Sequence, residues 1–236
     1  MMTMMKKAES DWNYFDEDGK ALAAYPKGRF TGRIKDVGFE CDLCGKCCTR
    51  AFNGHPYLLE EDASGIIGID ETAVVPFPYF DYCDQEGRFY TSGYSLKTKG
   101  DDAGSCCFLE GGRCRIYDKR PQICRIYPYM IHYEADEDGQ YDWREISGLN
   151  EHGLYGAKIN DKEAGEIFED VKKYEAGYLL QEKVFLKALS AHFEKNKLKH
   201  IPKIFDTRIR DFEKGEEVTV FVYHGGVFKE HKTRKE

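Results

Sequence analysis

From Asn160 to about residue 195, apolar side chains recur at helical spacing: Ala164, Ile167, Phe168, Val171, Tyr174 and Tyr178, then Phe185, Ala188, Leu189 and His192. Asn160 followed by Glu163 makes a capping box at the start. The pattern predicts one long helix or a helix pair that covers a core, with Gly177 as the place where it bends or divides. On its apolar side, His192 reads as a packed side chain rather than a ligand. Pro202 follows the helix. Glu217 to Tyr223 then predicts a strand that turns through His224-Gly225-Gly226 into Val227-Phe228. The charged tail His231–Glu236 reads as mobile.

Upstream the periods are shorter. Pro56 to Gly68 reads as a short extended piece followed by a helix, with Asp62 in the first turn where the helix dipole favours negative charge. Residues 72–98 are rich in aromatic and β-branched residues and predict two or three short strands around the turn Asp84-Gln85-Glu86-Gly87. Residues 129–146 read as a hairpin whose strands hold Tyr129–Tyr133 and Tyr141–Trp143, about the turn Asp136-Glu137-Asp138-Gly139. That acidic turn does not fit a calcium loop. Residues 1–35 are polar and punctuated by Gly and Pro, but Trp12, Tyr14, Phe15, Tyr25 and Phe30 suggest an arm packed on the body.

Between these elements lies a stretch with little periodicity and much chemistry. All nine cysteines of the 236-residue chain fall between residues 41 and 124. Thiols serving only as small core hydrophobes should be scattered. Cys41-Asp42-Leu43-Cys44-Gly45-Lys46-Cys47-Cys48 places four of them in eight residues. Thiols two residues apart can meet one metal ion from a tight turn, and Gly45 can take the positive φ such a turn often needs. The C-x2-C-x2-C spacing also opens an iron–sulfur run, although here the fourth cysteine follows at once. Adjacent Cys47 and Cys48 should point apart, which suggests a polynuclear or paired site. His55, seven residues on, reads as a loop residue before a ligand.

The second signature runs from Gly104 through Cys106, Cys107 and Cys114 to Cys124. Pro121 can open a helical turn that presents Cys124 and holds Arg125 nearby, and Pro128 stops it. A centre of four thiolates around Zn2+ carries about two negative charges, which Arg120 and Arg125 would offset.

Bulk properties narrow the classes. The net charge of −7 and the lack of a basic, aromatic-interleaved stripe argue against nucleic acid. No long apolar run predicts a membrane span, and the first ten residues have no apolar leader core. A cytoplasmic chain is the expectation; there thiols stay reduced, and an odd cysteine count fits that better than full disulfide pairing. Dinucleotide and phosphate-loop glycine patterns, H-E-x-x-H and the C-x3-C-x2-C radical spacing are absent. A thiol–disulfide oxidoreductase would need an isolated C-x-x-C near a βαβ pattern.

These residues resemble the YkgJ-like cysteine-cluster family, the CxxCxxCC zinc- or iron-chelating domain. The resemblance rests on Cys41, Cys44, Cys47 and Cys48, on Gly104-x-Cys106-x-Phe108-Leu109, and on Cys114-x-Ile116-Tyr117-x-x-Arg120-Pro121-x-x-Cys124-Arg125-x-Tyr127-Pro128. It covers roughly residues 36–130. It implies Cys41, Cys44, Cys47, Cys48, Cys106, Cys114 and Cys124 as ligands. Cys83 is similar to the family's less regularly placed intermediate cysteine, and Cys107 stands at a usually variable position. Implied cofactors are Zn2+ or iron, the latter including a 4Fe-4S cluster.

The expected fold is α+β: a small, loop-rich, metal-organised cysteine domain at residues 36–135, an N-terminal arm at 1–35, and a helical extension with a terminal β-hairpin at 136–236. The expected function is metal binding through seven or eight cysteines. The alternative is an iron–sulfur or iron redox enzyme, or an electron-transfer subunit, related to protein lysine N-methylation, because a related domain occurs in flagellin lysine-N-methylases. The expected partners are metal ions, with the C-terminal region as a lid, a protein-partner surface or a support.

Overall fold

The computed structural model describes residues 4–135, 138 and 141–235. Two helices open the chain, α1 (Met4–Ala24) and α2 (Lys27–Val37), followed by the short α3 (Arg50–Asn53). Strand β1 (Tyr57–Leu58) leads into α4 (Glu60–Ile69), whose first turn holds Glu60, Glu61 and Asp62. Four short strands follow: β2 (Val74–Pro76), β3 (Tyr82–Cys83), β4 (Phe89–Thr91) and β5 (Tyr94–Leu96). The cysteine-bearing pieces are β6 (Leu109–Glu110), β7 (Arg113–Cys114) and α5 (Gln122–Ile126). The hairpin β8 (Tyr129–Ala135) and β9 (Tyr141–Ile146) precedes α6 (Asp161–Lys195), α7 (Pro202–Glu213), β10 (Val218–His224) and β11 (Val227–Thr233). The class is α+β, as expected. Of the turn expected at Asp136–Gly139, all but Asp138 lies outside the described residues.

Helix α6 is the axis. Its start is capped in both directions: the Asn160 side chain accepts from the Glu163 amide at 3.0 Å, and the Glu163 carboxylate accepts from the Asn160 amide at 3.0 Å. Such a cap contributes about 1 kcal/mol. The helix passes Gly177 without a break, and Leu59 packs where a larger side chain would stand. Two of the three buried clusters line its length. Leu22, Phe30, Ile34 and Val37 pack with Ala164, Phe168 and Val171; Ala8 packs with Phe185, Leu189 and Phe193. The third cluster, formed by α4, the short strands and α7, lies under the cysteines and includes Leu58, Ile66, Phe89, Phe108 and Phe212.

The packed arm expected at the N-terminus is helical where it is described, over Met4–Ala24 and from Lys27 onward. The apolar positions of α1 that pack inward (Ala8, Trp12, Phe15, Leu22) do keep helical spacing, but they are diluted by charged and polar neighbours. Helix α7 starts at Pro202, which stands at a first-turn position where its missing amide proton costs nothing. The charged tail is not loose through Thr233: β11 pairs with β10 over seven registers, from His224 opposite Val227 to Val218 opposite Thr233.

The last hairpin also does something no local pattern announces. Strand β10 pairs in parallel with β4, Val220 opposite Phe89 and Val222 opposite Thr91. The sheet order is β11-β10-β4-β3, so β10 is interior. Val218, Val220, Val222 and His224 are its buried face. Among the described residues, no helix is long and apolar enough to cross a membrane.

Candidate metal centre

The first cysteine loop is built by backbone geometry. Leu43 takes a left-handed conformation (φ 60°), uncommon for a residue with a branched side chain. Asp42 Oδ1 accepts from the Cys44 amide at 3.0 Å and secures the turn. Gly45 follows at φ 77°; a Cβ there would stand 3.0 Å from the Leu109 side chain and 3.3 Å from the Gly112 carbonyl, so the position needs glycine twice over. A 3-10 turn over Lys46–Cys48 then leads into α3.

The second cysteine segment docks onto this loop. The Arg50 amide donates to the Gly104 carbonyl at 2.9 Å, and Thr49 bridges to Ser105. Cys114 is delivered by the β6–β7 hairpin, whose turn Gly111-Gly112 has positive φ at both residues. Cys124 sits in α5, whose N-cap is Pro121; the helix ends before Pro128.

The result brings Cys48, Cys106, Cys114 and Cys124 within electrostatic reach of one another. Burial pushes the Cys124 thiol up, and the charges of Cys106, Cys48 and Cys114 add to it. Burial likewise raises Cys114, with Cys48 and Cys106 contributing. A hydrogen bond with the Cys47 thiol raises Cys48, followed by burial and the charges of Cys47 and Cys106. In all three cases Arg120 opposes the rise. Cys106 shifts the other way: the hydrogen bond from Cys107 pulls it down, burial opposes, and the amides of Phe108 and Leu109 and the charge of Lys99 assist. Arg120 is held by its own Nε–H, which donates to the Tyr117 carbonyl at 2.8 Å, and its guanidinium lies 3.5 Å over the Tyr117 ring. Arg125 is exposed, and its charge acts on Asp62.

The other cysteines divide. Cys41 shares a hydrogen bond with the Tyr117 hydroxyl, and Cys44 with the Asp42 carboxylate. Cys47 and Cys48 touch through their thiols rather than pointing apart. Cys83 stands elsewhere, on β3 in the apolar core, fully buried, with its thiol donating to the Asp84 carbonyl at 3.4 Å; burial pushes it up to about 12. The Cys107 thiol hydrogen-bonds Cys106 and also stands 3.9 Å from the Ala73 carbonyl. Neither lines the cavity described next, whereas Cys41, Cys47, Cys48, Cys106, Cys114 and Cys124 do.

That cavity has a volume of about 400 Å³. Helix α6 supplies part of its wall through Tyr174, Glu175 and Tyr178, and His55 and His132 also line it. Glu175 is buried, accepts from the Ile131 amide at 3.4 Å, and is pushed up to about 7 by burial.

Does a thiophilic metal fit? Among the described residues, no three Cys, His, Asp or Glu side chains already stand in ligating positions. The donor chemistry nevertheless suits zinc or iron. All nine cysteines are free thiols; burial raises Cys114 and Cys124, the Cys47 hydrogen bond raises Cys48, and the neighbouring thiolate charges that add to each rise are what a cation would neutralise.

Residues 40–147 match the family described as "CxxCxxCC: Putative zinc- or iron-chelating domain". Over this segment the chain is similar to that family. The curated relative "Uncharacterized protein MJ0661" of Methanocaldococcus jannaschii is 29% identical over 107 residues, covering 44% of this chain and 52% of that protein. The chain therefore spans about half the length of the curated relative it matches. No solved structure matches the chain.

The matched segment does not enclose the cavity by itself. Tyr174, Glu175 and Tyr178 come from α6, beyond residue 147, and no motif in the sequence pointed to them. Helical spacing did place Tyr174 and Tyr178 on the buried side of α6. Glu175 is adjacent to that stripe, and a charged residue there could have been noticed as out of place.

Proposed function

We propose that the chain is a metal-binding protein in which Cys48, Cys106, Cys114 and Cys124 hold a zinc or iron ion as four thiolates, with Cys41, Cys44 and Cys47 on the adjoining loop as further ligands. The observation that carries this is the mutual electrostatic proximity of those four thiols, which come from four separate pieces of chain. Arg120 is the counter-charge: four thiolates on a divalent ion leave about two negative charges, and a guanidinium nearby offsets part of them. Cys83 and Cys107 are structural thiols in this reading. A bound ion would cross-link the loop at 41–48 to the hairpin at 109–114 and to α5, a region poor in long elements of its own. Binding free energy would then appear as folding free energy. Nine free thiols suit a reducing compartment, which supports a cytoplasmic setting.

A second reading has one observation in its favour. The thiols line a cavity large enough for a small molecule, and a protonatable carboxylate, Glu175, lines it too. That favours an iron or iron–sulfur centre open to a substrate over a closed structural zinc site.

Metal content, acid-labile sulfide and a visible spectrum, taken on protein purified without oxygen, separate the readings. Zinc without sulfide supports the four-thiolate ion. Iron with sulfide and a broad absorption near roughly 400 nm supports the redox centre. Protein that binds neither metal under reducing conditions overturns both.

A further inference from the structure

His152 lies outside the CxxCxxCC domain, in the connection between β9 and α6, yet it is fixed beside the first cysteine loop. Glu40 and Leu154 exchange both backbone hydrogen bonds at 2.9 Å, so residues 151–154 run antiparallel to residues 40–42. Gly153, at φ 81°, lets the two segments close: a Cβ there would collide with the Phe39 ring. The Lys46 ammonium donates to the Glu151 carbonyl at 3.4 Å. These contacts hold the His152 ring within electrostatic reach of Asp42, whose carboxylate is hydrogen-bonded by Cys44.

The ring is packed among Phe52 (4.6 Å between centroids), Tyr127 (5.1 Å) and Phe39 (6.3 Å). Both of its nitrogens are buried and have no hydrogen-bond partner among the described residues. The neighbouring Tyr127 hydroxyl is in the same condition, and it feels the charges of Cys47 and Cys44. Buried imidazole nitrogens almost always find a partner, so two orphaned ones beside a thiol loop call for an explanation. A ring needed only for packing would be served by phenylalanine.

The thiol count points the same way. If Cys48, Cys106, Cys114 and Cys124 serve one ion, then Cys41, Cys44 and Cys47 are three thiols short of a tetrahedral set by one donor. Cys83 faces the core, and the Cys107 thiol is engaged on the other side of the cluster, with Cys106 and near the Ala73 carbonyl. We infer that His152 is the fourth ligand of a second, three-thiolate-plus-imidazole metal site formed with Cys41, Cys44 and Cys47, with the Tyr127 hydroxyl as a hydrogen-bond donor to one of the sulfurs. Three thiolates and a neutral imidazole suit Zn2+. The loop backbone is already turned at Leu43 and Gly45, and Cys41 and Cys44 are exposed on it. This inference rests on the metal-binding reading above and adds a site to it.

The test is an anaerobic Co2+ titration of the full chain, followed by Zn2+ displacement, on the wild type, His152→Phe and His152→Cys. Phenylalanine keeps the aromatic packing and removes the donor; cysteine restores a donor. The expected result is two Co2+ equivalents in the wild type with distinct visible bands. In His152→Phe the second equivalent should weaken by more than the roughly 10–100-fold that an outer-shell change costs, with the first unaltered. His152→Cys should recover the second equivalent with an all-thiolate spectrum. A His152→Phe protein that takes up both equivalents with unchanged bands overturns the inference, as does a wild type that binds one equivalent; the four-thiolate reading survives both. A wild type that binds no metal overturns the two together.

Discussion

The amide of Cys106 donates to the carbonyl of Cys48 across 2.8 Å. With Thr49 bridged to Ser105 and Arg50 bonded to Gly104, this makes the two cysteine segments one backbone unit before any metal is considered. The thiols are gathered by the polypeptide, and an ion would find them partly preorganised.

Ligand substitutions should therefore sort by position. Cys106→Ser and Cys124→Ser should each lower bound metal by about one equivalent per chain, read by elemental analysis of purified protein. Cys107→Ser should keep its full metal content. Cys83→Ser should also keep it while losing about 1–3 kcal/mol in a denaturant titration, because a hydroxyl replaces a thiol in a fully buried apolar position. Retention of metal in both Cys106→Ser and Cys124→Ser would sink the four-thiolate assignment.

Removing the metal should unlock the loops before the helices. Chelation under reducing conditions should cost about 3 kcal/mol at metal concentrations a hundredfold above Kd. Limited proteolysis should then cut within residues 41–54 and 98–120, while the far-UV signal of α6 persists. Simultaneous loss of both signals would show that the ion holds the whole chain rather than the cysteine segments.

Gly45→Ala should destabilise by about 1–2 kcal/mol, from the positive φ and from crowding against Leu109 and the Gly112 carbonyl. The same variant should release metal faster in a chelator-exchange assay. An unaltered off-rate would mean that this turn does not shape the site.

The buried carboxylate of Glu175 gives a pH signature. Its folded pKa is raised from the ordinary 4.5 to about 7, so between those values the folded state binds more protons than the unfolded one. Stability from this group is complete below about 4.5 and is lost as pH rises toward 7, by roughly 3 kcal/mol in all. Glu182, also pushed up to about 7 by burial, acts with the same sign. Glu175→Gln should remove part of that slope in urea titrations run from pH 4.5 to 8. An identical slope in wild type and variant would refute the assignment.

Leu189→Ala tests the axis. Leu189 is fully buried between α1 and the sheet, and its truncation should cost about 2–5 kcal/mol with bound metal unchanged, as measured by thermal unfolding and elemental analysis.

What the sequence disclosed follows from the range of the forces involved. The Asn160–Glu163 box, the stripe from Ala164 to His192, the turn at Asp84–Gly87 and the β8–β9 hairpin depend on neighbours a few residues away, and all were legible. Helix α1 was not, because Ala8, Trp12, Phe15 and Leu22 are thinly spread and become a stripe only when α6 is there to receive them. Helix α7 was hidden behind a proline that could be read as an end as easily as a beginning. At the site, spacing drew attention to Cys41–Cys48 and the family resemblance to Cys106, Cys114 and Cys124, but no local pattern told that Cys83 faces the core. Nor could a pattern bring Glu175 or His152 to the thiols, since both arrive through tertiary packing.

The parallel pairing of β10 with β4 bears on the order of events in the cell. On a ribosome the cysteines emerge well before Val218–His224, so the nascent thiols meet any available ion while the sheet beneath them still lacks an interior strand. Final seating of the thiol region must wait for nearly the whole chain to be translated, and ion capture during synthesis acts on a half-built scaffold.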